Sequence, residues 1–176
     1  MKHLQTIQKT FHIFEILSRV AMILSLVWAG LCLAGVLCAV VWYTGGTVPG
    51  AGQELVQALT STSGLGQMLG VLLSDLVTAL TEGILFLMAW RYFRAEQVQG
   101  TPFTDSGAEQ LKRLGINTIL MPLVATILSA VIYGCFDLSP AGNGDNFPSV
   151  ILGIALILAS LIFRYGAELE AKASVR

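Results

Sequence analysis

The sequence predicts an all-α, polytopic membrane protein with four transmembrane helices, both termini on the cytoplasmic side and an N-terminal helix in the interface. Three observations predict it. Hydrophobic residues fill 55% of the 176 positions and charged residues only 12%, where a soluble domain carries about 25% charged residues. Mean hydropathy is +0.73. The apolar residues are gathered into four runs, about 20–43, 69–90, 114–136 and 148–165. The ten basic residues fall in three segments that alternate with two segments holding none.

A helix needs about 20 mostly apolar residues to cross the hydrocarbon core. The first three runs meet that length, and the fourth reaches it when started near Phe147. The first run is 24 residues long, whereas the apolar part of an export signal is about 7–15. It is therefore expected to stay as a span. Lys2, Lys9 and Arg19 precede it; Arg91, Arg94, Lys112 and Arg113 lie between spans two and three; Arg164, Lys172 and Arg176 follow or close span four. The other connections, 44–68 and 137–147, carry only Glu54, Asp137 and Asp145. Basic residues stay on the cytoplasmic side, so the termini and the connection 91–113 are expected inside and the two base-free loops outside. Tyr43, Tyr92, Tyr133 and Tyr165 each stand near the exit of a span, where a ring with a polar tip suits the headgroup level.

Ahead of span one, Leu4, Ile7, Phe11 and Phe14 recur at helical spacing among Lys2, Gln5, Gln8, Lys9 and His12. That pattern suits an amphipathic helix in the inner interface, bending into the span. The first outer loop is rich in Gly, Ser and Thr and holds one helix-compatible piece, 53–60. The second, "DLSPAGNGDNFPS", is turn chemistry, and Pro148 suits the first turn of span four. In the middle connection, Gly100-Thr101-Pro102 breaks the helix leaving span two. Thr104 and Ser106 are candidate N-caps, and Ser106 with Glu109 makes a capping box, so the next helix is expected to start near Gly107. Pro122 should kink it.

Span two carries the residues that could do chemistry. Asp75 and Glu82 are seven positions apart, about 10 Å along one helix face, with Thr78 between them and Ser74 and Thr81 on the stripe beside. A charge at mid-membrane costs about 2.5–3.5 kcal/mol, and each Leu, Ile, Val or Phe returns about 0.3–0.6 kcal/mol. The span has eleven of those residues, so two acids nearly cancel them and the Asp75, Thr78, Glu82 face is expected to turn into the bundle. No Lys, Arg or His lies at matching depth in another span. Small residues at four-residue spacing, among them Ala21, Ser25 and Ala29, Ala79 and Gly83, and Ala125 and Ser129, predict close helix approach.

Cys32, Cys38 and Cys135 lack zinc-ligand spacing and read as buried small hydrophobes, with an outer Cys38–Cys135 bridge as the alternative. His3 and His12 read as solvated or interfacial. No nucleotide loop, metal helix motif or nucleophile–base constellation is present, so neither enzyme activity, cofactor, metal nor nucleic acid is expected.

Residues 100–115, "GTPFTDSGAEQLKRLG", ahead of a span, and residues 161–170, "LIFRYGAELE", after one, resemble signature regions of a small bacterial four-span inner-membrane family defined only as a domain of unknown function. The resemblance runs from the middle connection to the tail; the first half is similar in span pattern alone. It implies an inner-membrane location and the same topology, and some members look to be encoded beside a small helix-turn-helix regulator. The closing "AKASVR" departs from the acidic, Gln-containing tail of that family. The expected function is that of a non-enzymatic accessory or regulatory membrane protein, acting through helix–helix contacts with a second copy or another membrane protein. The alternative is a small proton- or cation-coupled transporter or channel using the Asp75/Glu82 face.

Overall fold

The computed structural model describes residues 2–44, 64–99, 105–138 and 147–174. They form four α-helices: α1 (Lys2–Tyr43), α2 (Leu65–Gln99), α3 (Asp105–Cys135) and α4 (Phe147–Ser174). Each is long and apolar enough to cross a membrane. The helical piece expected at 53–60, the break at 100–102 and most of the second outer loop lie outside the described residues.

The amphipathic head and the first apolar run are a single helix of 42 residues, about 63 Å at 1.5 Å per residue. That is roughly twice a 30 Å hydrocarbon core. Ile13, Leu17, Leu24 and Leu31 are all more than half exposed along it, the surface of a helix that offers its side to lipid. Its end is tied by the Thr44 backbone N–H to Val40 O at 3.0 Å and by Thr44 Oγ1 to Val41 O at 3.0 Å.

α3 begins at Asp105, two residues earlier than the capping-box reading placed it. Ser106 therefore sits inside the first turn, and Glu109 accepts a hydrogen bond from Arg113 Nη2 at 2.7 Å, an i,i+4 ion pair on the helix surface. The Thr104 alternative lies outside the described residues. At its other end, α3 closes with Leu138 N–H on Tyr133 O (2.9 Å) and Asp137 N–H on Gly134 O (3.4 Å). Asp137 takes φ 52° there, the left-handed residue that this type of helix end requires. Asp tolerates that conformation better than most side chains. Pro148 occupies the first turn of α4, as its missing N–H allows.

The helices pack as two compact units. The first comprises Met1–Ile23, Glu82–Leu123 and Asp145–Arg176, and contains all of α4. Its core is Tyr92, Leu111 and Leu114, with Met88, Leu156, Ala159 and Phe163 against them. Phe14 stacks on Phe93 with ring centroids 5.5 Å apart. In the same unit α3 and α4 meet backbone to backbone. A methyl at Gly115 would lie 2.9 Å from Gly153 O, and one at Gly153 would lie 2.7 Å from Gly115 O. Span limits of 114–136 and 148–165 put these glycines near opposite membrane surfaces. The structure brings them to one level, a register shift on the order of 10 residues, about 15 Å of helix. Hydropathy says that a segment can span; neighbouring helices decide where along it the contacts fall.

The second unit, Leu24–Thr81 with Val124–Gly144, has three helical segments among the described residues. Ala39 and Met68 form its core with Cys38, Trp42, Leu69 and Leu72. Ser25 Oγ donates to Ala79 O at 3.0 Å, joining α1 to α2. Ser74 Oγ donates to Ser129 Oγ at 2.9 Å, joining α2 to α3. The small-residue spacing is used in part: Ser25, Ala29, Ala79, Ala125 and Ser129 are buried, whereas Ala130, Gly134 and Ala155, which share that spacing, are exposed. All three cysteines are free, so the Cys38–Cys135 bridge is not formed. The aromatic-belt reading suits Tyr43 and Tyr165, which are exposed; Tyr92 and Tyr133 are buried, at 3% and 7% exposure.

Candidate functional site

The face of α2 that the sequence singles out does not turn inward. Thr78 and Glu82 are exposed and Asp75 is half-buried. The reason lies in the side-chain directions, about 100° apart per residue. In the second unit, Leu72 and Ala79 turn α2 toward Gly35 and Ser25 of α1. Gly70 and Ser74 turn it toward Phe136, Leu138 and Ser129 on the α3 side. These contact sides are nearly opposite, and the stripe of Val71, Asp75 and Thr78 lies between them, with Val71 and Thr78 exposed and Asp75 half-buried. Ser74, on the neighbouring stripe, makes the interhelical hydrogen bond instead.

Thr78 Oγ1 donates to Ser74 O at 3.1 Å, and Thr81 donates to Val77 O in the same manner. Both hydroxyls spend their proton on the helix that carries them and keep lone pairs free to accept. Glu82, at the start of the α2 segment of the first unit, is outward-facing in the middle of the run 69–90. Cys32, from α1, is buried. Among the described residues no three His, Cys, Asp or Glu side chains come together in a way that could hold a metal ion.

A second polar locus was missed by the sequence reading. Trp90 Nε1, Tyr92 Oη, Glu96 Oε2 and Gln97 Nε2 are buried with no hydrogen-bond partner. Trp90 also lies under the Arg94 guanidinium, 5.3 Å from its ring centroid. The signal was present: Leu85, Ala89, Tyr92 and Glu96 follow one another at spacings of four and three, which places Glu96 on the packed side of α2. It was hidden because an acid between Arg94 and the Gly-Thr-Pro break reads as ordinary cytoplasmic surface. Asn117, near the start of the third apolar run, donates to Met88 Sδ at 3.4 Å, so this amide is used to hold α3 on α2.

The fold and the polar face together define a class: an all-α protein of four long apolar helices, consistent with a multi-pass membrane protein. No family model, curated protein or solved structure matches the chain.

Proposed function

We propose that the chain is a non-enzymatic accessory or regulatory protein of a bacterial inner membrane, with both termini cytoplasmic, that acts through helix–helix contacts made inside the bilayer. The observation that carries this reading is the outward Glu82 in the middle of an apolar run, with Thr78 exposed one turn before it. A carboxyl group facing lipid at that depth costs about 2.5–3.5 kcal/mol. Cover from another helix removes most of that cost. A second copy of this chain supplies suitable chemistry: each copy brings a Glu82 carboxyl group and a Thr78 hydroxyl, whose lone pairs are free to accept because its proton is given to Ser74 O. Two copies related by a two-fold axis along the membrane normal present the stripe to each other at equal depth.

Energy transfer between donor- and acceptor-labelled copies in lipid vesicles tests this. The Thr78→Val/Glu82→Leu variant is expected to associate about tenfold more weakly, the equivalent of roughly 1.4 kcal/mol. An association constant equal to that of the wild type rejects the contact.

Asp75, half-buried within an apolar helix, supports a second reading, a proton- or cation-coupled transporter or channel using the Asp75/Glu82 face. Vesicles loaded with a pH-sensitive dye decide it: flux that is abolished in Asp75→Asn and Glu82→Gln favours transport, and flux equal to wild type excludes it.

A further inference from the structure

Beyond the apolar run that ends at Trp90, α2 carries Tyr92 and Glu96, one helical turn apart and each 3% exposed. Tyr92 forms a buried cluster with Leu111 and Leu114 of α3, and Leu156 and Phe163 of α4 pack against that cluster. Neither Tyr92 Oη nor Glu96 Oε2 has a hydrogen-bond partner, and both atoms are sealed from solvent. Native proteins leave few such groups, and each calls for a physical reason.

The charged groups on the helices packed here are engaged elsewhere or face solvent. His12 pairs with Glu15 on α1, Glu109 with Arg113 on α3, and Arg164 with Glu168 on α4. Arg94 lies over Trp90. Arg19, Arg91, Lys112 and Lys172 are exposed. Among the described residues, then, Glu96 has no counter-ion. An ionised carboxylate sealed in apolar packing without a partner is far costlier than the neutral acid. The closed packing is compatible with the protonated side chain and is opposed by the ionised one.

We propose that Glu96, one turn beyond the buried Tyr92, is a proton-binding site that gates the contact of α2 with α3 and α4: the closed packing holds one proton on Glu96, and its release to solvent water opens the contact. The sign follows from linkage. The closed form binds one more proton than the open form, so closure is favoured at low pH and lost as pH rises. Above the range where a solvated Glu titrates, near pH 4.3, the ratio of open to closed grows up to tenfold per pH unit. This gate is separate from the Thr78/Glu82 contact, and either can fail without the other.

The full chain in lipid nanodiscs tests it. Amide hydrogen-exchange protection over residues 107–114 of α3 reports opening. In the wild type it is expected to fall by up to tenfold per pH unit; in Glu96→Gln it should not vary with pH. Tyr92→Phe keeps the titrating group and should keep the slope. Infrared spectra should show the carbonyl band of a protonated carboxyl group at neutral pH, missing from Glu96→Gln. Wild-type protection that ignores pH overturns the proposal even if no variant folds, and so does a Glu96→Gln protein that retains the wild-type slope.

Discussion

Ser74 and Ser129 make one hydrogen bond of 2.9 Å between two apolar helices, and the consequence of removing it is sharply defined. Either serine changed to alanine leaves the other hydroxyl buried without its partner. Interhelical hydrogen bonds in membrane proteins are worth about 0.6 kcal/mol on average and at most about 1.7 kcal/mol. Ser74→Ala and Ser129→Ala should each cost an amount in that range in a detergent unfolding titration, and the double variant little more than one single. Additive losses would show that the two hydroxyls do not act as a pair. The same region shows what single residues disclose before folding. Spacing put Asp75, Thr78 and Glu82 on one stripe and Ser74 and Thr81 on the next. It could not say which of two adjoining stripes turns inward, because that rotation is set by where α1 and α3 press on α2. Glu96 was legible only by its helical spacing from Tyr92, because its charge and its place beside Arg94 make it read as solvated surface.

At the scale of elements the four helices were legible, since an apolar run near 20 residues has few alternatives to a helix once it is long and unbroken. Their starts were read to within a turn where a cap or proline marks them, as at Pro148 and at Asp105, two residues before the expected Gly107. Helix register was not legible, because it depends on two glycines, one in each helix, that allow backbones to touch. Gly115 and Gly153 therefore give the decisive test. Alanine at Gly115 and alanine at Gly153 should each lower stability in a detergent unfolding titration, because the added methyl meets the facing backbone carbonyl at 2.9 and 2.7 Å. If neither variant loses stability, the two backbones do not meet at these glycines. A Gly153→Leu protein should lose stability by more than about 2 kcal/mol, because the added side chain meets the Gly115 carbonyl and Ile119 and backbone cannot yield as a flexible side chain does.

For the whole molecule the property that governs everything else is the direction in which the chain is threaded. The ten basic residues lie in the head, the middle connection and the tail, and the two remaining connections have none. Membrane insertion keeps short Lys- and Arg-rich segments on the cytoplasmic side, so the proposed orientation, with both termini inside, is the one this distribution predicts. Membrane-impermeant thiol reagents applied to intact cells should label a cysteine at Gly52 or Gly142 and leave one at Gly100 untouched until the cells are opened. Labelling of Gly100 from outside would invert the chain. It would place the α3 start and Glu96 on the far side, where the proton gate would respond to external and not cytoplasmic pH. Orientation thus fixes which compartment the buried carboxyl can sense, while the Thr78/Glu82 face, near the middle of its run, would remain available to a second copy in either case.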